Sequence, residues 1–321
     1  MQDRKKTVLV TGATGFVGQH LCRELSDLGF SVRTLLHMAN QSEIFPSELE
    51  LTHFFGDLLD VASLETACAN TDILVHLGGV AHVDNLSEKI LQEINVEGTR
   101  NILQVAIRNN ISRIIFMSSS LASDAEKGKR KITKYGRSKI AAEELVRTAH
   151  QQGDIEGVVL RPVNVYGAGM KGNIASMISL IARRLLPPLP KLNNEFSLLG
   201  VDDLVNALVL AAESSAASGK SYFVTDGVTY RINDIERAIY KALGRNRPGW
   251  YSPRMVLYAA SVLAGLLGKL KAGGTSISAR TYTNLVNDNC FSSQQIQDDL
   301  GFSPSGNLYK EMPALVEHLV K

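Results

Sequence analysis

At 321 residues, 45% of them hydrophobic and 21% charged, the chain can bury a sizeable core in one large or two modest domains, which excludes the disordered and fibrous classes. Its net charge of +2 gives no strong pull toward nucleic acid or an anionic membrane, so any basic site has to be local. Cys22, Cys68 and Cys290 lie far apart with no CxxC pair, and none of the seven histidines builds an HExxH, which points to reduced thiols in a cytoplasmic chain without a metal site.

Met1 to Lys6 is charged and leads into an apolar strand too short for the core of a signal peptide, so secretion is not expected. Thr7 to Gly18, TVLVTGATGFVG, reads as a buried strand, a glycine turn and a helix start. Gly12, Gly15 and Gly18 let the backbone turn tightly, approach a pyrophosphate and pack the helix on the strand, so that the helix N-terminus meets the phosphates. The implied ligand is a dinucleotide, with Thr14, Phe16 and Val17 of the same loop as further contacts.

Val17, Leu21, Leu25 and Leu28 fall at helical spacing and Gly29 supplies a stop, so a first helix returns the chain to a second strand, Ser31 to Leu36. In dinucleotide folds an acid at the end of this strand holds the adenosine ribose hydroxyls, but here Leu36 is followed by His37 and Met38. Arg33 and His37 can instead meet a 2′-phosphate, which tilts an NAD(P) site toward NADP(H); otherwise both are surface residues. A third strand, Leu51 to Phe55, runs into Gly56-Asp57-Leu58, and a fourth, Ile73 to Leu77, into Gly78-Gly79. Both ends fall on one edge of a parallel sheet, where Asp57, with Leu58 beside it, meets the adenine or serves only as a turn residue, and Leu77, Gly78 and Gly79 let the cofactor pass.

Leu91, Ile94, Gly98, Ile102 and Val105 share one face of the next helix, with Asn95 toward its start, and a fifth strand, Arg113 to Met117, ends in Ser118-Ser119-Ser120. Alternating strands and helices of this length argue for a doubly wound parallel sheet, with no repeat and no long linker. Asp124 to Lys134 is basic and reads as a solvated loop, with a phosphate-facing role as the alternative. Tyr135-Gly136-Arg137-Ser138-Lys139 then opens an amphipathic helix through Ala149. Four residues apart, Tyr135 and Lys139 share a face, and an ammonium one turn from a phenol stabilises the tyrosinate, whose ordinary pKa is about 10. The phenol becomes an acid/base for a hydroxyl proton while hydride moves to or from the cofactor. Ser119 ends the strand beside this helix start and can hydrogen-bond the same substrate oxygen, with Ser120 as the runner-up.

These motifs, together with Asn95-Val96-Glu97-Gly98-Thr99 and Arg161-Pro162-Val163-Asn164-Val165-Tyr166-Gly167, resemble extended short-chain dehydrogenase/reductases of the NAD-dependent epimerase/dehydratase type. The chain is similar to UDP-glucose 4-epimerases, and Gly172-Asn173, Leu199 to Leu204 and Phe223 to Gly227 look most like the branch of bacterial polysaccharide clusters, which includes reductases of UDP-4-keto-6-deoxy-N-acetylhexosamines. The resemblance implies a Rossmann-type fold, Ser119, Tyr135 and Lys139 as the catalytic set, Asn164 and Asn173 on the nucleotide sugar, and a homodimer through the Tyr135 helix. The chain departs from the family after the serines, in the missing acid after Leu36, and at Phe196, where an arginine for the pyrophosphate is common. Arg280 or the basic loop would have to supply that charge.

Distally, an apolar helix from Ile174 to Leu186 precedes Pro187, Pro188 and Pro190, and Phe196 to Leu199 and Tyr222 to Thr225 read as returns to the sheet. The expected division is a dinucleotide-binding domain, 1–166 with returning segments near 196–212 and 221–227, and a smaller discontinuous substrate domain, 167–195 and 228–321. The apolar run Met255 to Leu267 falls short of the ~20 residues that span a bilayer, so it reads as a packed helix, with a membrane-surface helix as the lesser alternative and no stable insertion. Trp250 and Tyr251 read as packing rather than as a platform for a base. The expected activity is an NAD(P)-dependent oxidoreductase at C4 of a nucleotide-linked sugar, by 4-keto reduction or 4-epimerisation. The alternatives are a reductase of a non-sugar alcohol or ketone and a cofactor-binding regulator without catalysis, and no nucleic-acid partner is expected.

Overall fold

The computed structural model describes residues 5–81, 86–123, 132–253, 255 and 288–320. The chain divides into two compact units, one of Met1–Val163, Val201–Val224 and Ser293–Ser303, the other of Asn164–Gly200, Thr225–Ser292 and Pro304–Lys321.

The first unit is built on β1 (Thr7–Thr11), β2 (Ser31–Leu36), β3 (Leu51–Phe55), β4 (Ile73–His76), β5 (Arg113–Met117), β6 (Glu156–Pro162) and β9 (Ser221–Val224), in the order β3-β2-β1-β4-β5-β6-β9. Every neighbouring pair is parallel. The run Thr-Val-Leu-Val-Thr of β1 is buried along its whole length, as a strand covered on both faces requires. The chain steps outward from β1 to β3 and then returns to β4, so the order reverses between β1 and β4, where such sheets open a crevice outside their carboxyl ends.

Helix α1 (Phe16–Asp27) buries Leu21, Cys22 and Leu25, whereas Leu28, expected on the same stripe, lies past its last turn and is 52% exposed. Asp60 caps α2 (Val61–Cys68) by accepting from the Ala62 N–H. Then α3 (Glu88–Leu91), a π turn (Gln92–Glu97) and α4 (Gly98–Arg108) run on end to end. The π turn buries Asn95 and Val96. α5 (Lys134–Gln151), α7 (Val201–Glu213) and α9 (Gln294–Leu300) complete the unit. Its core joins Leu9, Leu74, Ile114 and Phe116 of the sheet to Leu64, Ile102, Val105, Ala142 and Val146 of the helices.

In the second unit β7 (Asn164–Tyr166), β8 (Glu195–Gly200) and β10 (Thr229–Arg231) form a separate sheet of order β10-β8-β7. Phe196 to Leu199 therefore does not return to the large sheet. The position beside β6 is taken by β9, Val159 pairing with Ser221, and β8 finds its ladders on β7 and β10 instead. Buried Asp226 holds this unit together: it accepts from the Tyr166 hydroxyl at 3.0 Å and the Tyr230 hydroxyl at 2.5 Å. α6 (Asn173–Ala182), α8 (Ile232–Ala242) and α10 (Leu308–Val320) belong to the same unit. α6 stops short of the expected Leu186 because Arg184 takes a left-handed φ of 59°. Among the described residues no helix is long and apolar enough to cross a membrane, and no group of three His, Cys, Asp or Glu side chains is placed to hold a metal.

Candidate active site

The glycine turn lies between the carboxyl end of β1 and α1. Gly12 has φ of 69°, and a Cβ there would lie 2.8 Å from the Gly78 nitrogen and the Leu77 carbonyl carbon. A Cβ on Gly18 would collide with the Gly12 carbonyl and with Ala13. Both glycines are thus fixed by backbone meeting backbone. Gly15 is the N-cap of α1 with no side-chain cap, and the first turn holds no acid, so its N–H groups keep the electropositive end an anion needs. Within the loop the Thr14 carbonyl accepts from Gln19 Nε2 at 2.8 Å, Phe16 meets His20 edge-on at 5.6 Å, and Val17 is half-buried.

Beneath the turn runs a chain of buried polar groups. The Gly78 N–H donates to Thr11 Oγ1 at 3.0 Å, Thr11 Oγ1 lies 2.6 Å from His76 Nδ1, and His76 Nε2 lies 3.0 Å from Thr99 Oγ1. Thr99 spends its one hydroxyl hydrogen on the Asn95 carbonyl at 2.7 Å. His76 must therefore donate from Nε2 and accept from Thr11 at Nδ1, which defines a neutral tautomer. Burial, and secondarily the charge of Lys139, pushes its pKa down to about 3. Asn95 continues the chain: Oδ1 accepts from the Val80 N–H at 2.8 Å, and Nδ2 donates to the Val80 carbonyl at 3.1 Å and to Ser138 Oγ at 3.0 Å. Ser138 in turn donates to the Tyr135 carbonyl at 2.8 Å. The edge that holds the glycine turn and the first turn of α5 are one hydrogen-bonded body.

Thr133 caps α5 by accepting from the Gly136 N–H at 2.8 Å. Tyr135 is half-buried, and burial raises its phenol well above the ordinary value. The expected depression by Lys139 is not what the side chains alone produce. Lys139 Nζ is buried, donates to the Met117 carbonyl at 2.8 Å and stands 4.6 Å over the Phe116 ring. Burial lowers its pKa to about 8, with Glu143 opposing the fall. The phenol is consequently protonated at neutral pH, and what it offers first is a proton.

Ser119 leaves β5 as the cap of a short 3-10 turn, its Oγ accepting from the Leu121 N–H at 3.2 Å, which leaves the hydroxyl hydrogen to donate. Ser118 is committed to the Glu143 carboxylate, and the Ser120 carbonyl accepts from Ser123 Oγ at 2.8 Å. Glu143, 1% exposed, also receives Arg161 through Nε at 3.0 Å and Nη2 at 2.6 Å. Sequence reasoning passed over Glu143, although it falls four residues after Lys139 and hence on the same helix face; the partner from β6 carried no local signal. It likewise passed over His76.

Around the second strand the expected residues separate. Arg33 lies in the middle of β2, its guanidinium donating to the Ala67 and Ala69 carbonyls and standing 5.3 Å from the Phe54 ring, so it caps the end of α2 rather than reaching the carboxyl edge. His37 does stand there, with Nδ1 3.4 Å from Asp57 Oδ2, while Asp57 Oδ1 accepts from the Leu59 N–H at 2.9 Å. Leu58 packs by Gly78 and Gly98, and Leu77 is buried beside Gly12. Gly79 could not carry a Cβ without meeting Asn95 Oδ1 at 2.8 Å.

In the second unit Asn164 and Asn173 are exposed at the starts of β7 and α6. Phe196 is half-buried on β8, 6.5 Å from the Tyr230 ring. Asn194, two residues earlier, is buried with both amide atoms unpartnered, a polar demand that sequence alone could not show. Arg280, and Lys127, Lys129, Arg130 and Lys131 of the basic loop, lie outside the described residues.

Residues 8–224 match the sequence model of the NAD dependent epimerase/dehydratase family. The chain belongs to this family. Among curated proteins it is 28% identical over 286 residues to the UDP-glucose 4-epimerase of Vibrio cholerae, covering 83% of this chain and 84% of that one. It is 25% identical over 325 residues to the 3-beta-hydroxysteroid dehydrogenase of Mycolicibacterium neoaurum, covering 92% and 87%. Among solved structures, the Thermus thermophilus UDP-glucose 4-epimerase in complex with NAD superposes with a TM-score of 0.73 at 20% identity over 98% of this chain and 99% of that one, which shows the shared fold. For a member of the epimerase/dehydratase family, the Gly12–Gly18 turn and the strand ends beside it fit a dinucleotide: the backbone is bared where a Cβ would intrude, and the α1 amides have no competing acid in their first turn.

Proposed function

We propose that the protein is an NAD(P)-dependent oxidoreductase acting at C4 of a nucleotide-linked sugar, with Tyr135 as the proton donor and acceptor, Lys139 as its electrostatic partner and Ser119 as the hydrogen-bond donor to the C4 oxygen. The observation that carries the reading is the pairing of Tyr135 and Lys139 one turn apart on a helix whose first turn is tied through Ser138 and Asn95 to the edge of the glycine turn. The nicotinamide group, when bound, supplies or removes hydride at C4. Gly12 and Gly18 leave room for its pyrophosphate at the α1 N-terminus, and His37 is the residue at the β2 end available to a 2′-phosphate, which favours NADP(H).

With its phenol held protonated, Tyr135 gives a proton to the C4 oxygen as a 4-keto group is reduced, while Ser119 donates to the same oxygen. Lys139 places positive charge one turn away, which stabilises the tyrosinate formed. Asn164 and Asn173 are proposed to hold the nucleotide sugar, and a homodimer through α5 is the proposed assembly. Reduction of UDP-4-keto-6-deoxy-N-acetylhexosamine and 4-epimerisation of UDP-hexose use the same residues and differ in whether the cofactor is consumed. NADH and NADPH oxidation with the 4-keto sugar, beside NMR of UDP-glucose left with enzyme, distinguishes them. Tyr135→Phe should cut either turnover by 10²-fold or more with cofactor affinity kept, and an unchanged rate would remove Tyr135 from the mechanism.

A second reading, a reductase of a non-sugar ketone, is favoured by Phe196, which offers no charge to a pyrophosphate, and by the buried unpartnered amide of Asn194, a neutral donor and acceptor close by in sequence. Turnover of a hydroxysteroid with none of any UDP-sugar would select it.

A further inference from the structure

The second unit carries an exposed face that hydride chemistry does not use. Leu185 is 66% exposed, Trp250 56%, Tyr251 42% and Met255 83%. Single exposed apolar residues are ordinary, but these belong to two chain segments pinned side by side. Arg245 Nη1 donates to the Ala182 carbonyl at 2.8 Å, just before the first loop, and the Ser252 N–H and hydroxyl both donate to the Pro188 carbonyl just after it. Arg183, Arg184 and Pro187 of the first loop, and Pro253 of the second, are exposed as well. Tyr251 is held under the guanidinium of Arg247, 4.2 Å from its ring centre, and Arg247 is anchored on buried Glu236 at 2.7 Å.

The described segments that carry these tips are charged with one sign. Residues 183–194 contain three Lys or Arg and no Asp or Glu, and residues 237–253 contain four and none, in a chain whose 34 basic and 32 acidic residues nearly balance overall. Aromatic and aliphatic tips rimmed by Lys and Arg are the pattern of a surface that enters the headgroup region of an anionic bilayer, where amphipathic rings settle at the boundary and cations meet lipid phosphates.

We propose that this face, Leu185, Trp250, Tyr251 and Met255 with Arg183 and Arg184, docks the protein peripherally on anionic phospholipid. Docking is not insertion, and it stands whether the substrate is a sugar or another ketone. Each cation near an anionic surface strengthens binding about five-fold, a factor that salt removes.

Trp250 is the single tryptophan of the chain, so its emission reports this face alone. The intact protein is mixed with vesicles of phosphatidylcholine containing one third phosphatidylglycerol, and with vesicles of phosphatidylcholine only. The expected result is sedimentation with the anionic vesicles, a blue shift of Trp250, quenching by acyl-brominated lipid, and loss of all three in 0.5 M salt. Arg183→Gln with Arg184→Gln should weaken binding roughly 25-fold, and Leu185→Ser with Met255→Ser at least ten-fold. These side chains are exposed, so the variants should keep the wild-type circular dichroism and melting temperature. No binding to anionic vesicles, binding with unmoved Trp250 emission, binding indifferent to both variant pairs, or binding of a polynucleotide in place of vesicles would each overturn the proposal.

Discussion

Lys139 sits one turn below Tyr135, but its ammonium is spent first on the Met117 carbonyl and the Phe116 face. With its pKa brought down to about 8 by burial, it is cationic below that pH and neutral above it. The pH profile of turnover should therefore bend downward above about pH 8, and Lys139→Arg, whose charge does not titrate there, should move that limb to higher pH if the variant turns over at all. His76 behaves in the opposite range. Its pKa of about 3 lies below the ordinary 6.5, so on acidification the unfolded chain takes up the proton first. The stability this gives is complete above about pH 6.5 and is lost as pH falls toward 3. A shift of that size corresponds to roughly 4–5 kcal/mol at full extent, so His76→Gln should flatten the fall of the melting temperature between pH 6.5 and 4, and a variant that follows the wild-type slope would refute the assignment.

At the scale of elements, the decisive contact is the one between the Asn95 side chain and α5. Asn95→Ala leaves the half-buried Val80 N–H without its acceptor and buried Ser138 without its donor, which should cost about 1–3 kcal/mol in urea unfolding. If the link positions the catalytic helix, the same variant lowers kcat more than it raises KM. The elements themselves were readable because their signals are local: a continuous apolar strand, a glycine turn, a run of leucines at helical spacing. β2, β3 and β5 end where the residues said they would, and β4 stops one residue short of Leu77. What escaped reading depends on partners distant in the chain. Phe196 to Leu199 is strand-like in either sheet, and only the occupation of the β6 edge by β9 decides which one. Arg33 points toward a phosphate in sequence, but in space the carbonyls at the end of α2 claim it. Glu143 became visible only when Arg161, eighteen residues on, met it inside the unit.

At the scale of the molecule, the two units are assembled from interleaved segments, Val201–Val224 and Ser293–Ser303 returning to the first after the chain has visited the second. A ligand that binds only the folded first unit stabilises it by mass action, about 2.7 kcal/mol at a hundred-fold excess over Kd. Of the charged residues expected to read the cofactor, His37 alone remains at the β2 end, facing Asp57 at 3.4 Å. The imidazole offers a hydrogen-bond donor to a 2′-phosphate, and the Asp57 carboxylate beside it repels one. NADPH should therefore raise the melting temperature more than NADH. His37→Ala should shrink that margin, and Asp57→Asn should widen it by removing the repulsion. Equal shifts for the two cofactors, unchanged by either substitution, would show that the β2 end does not choose between them.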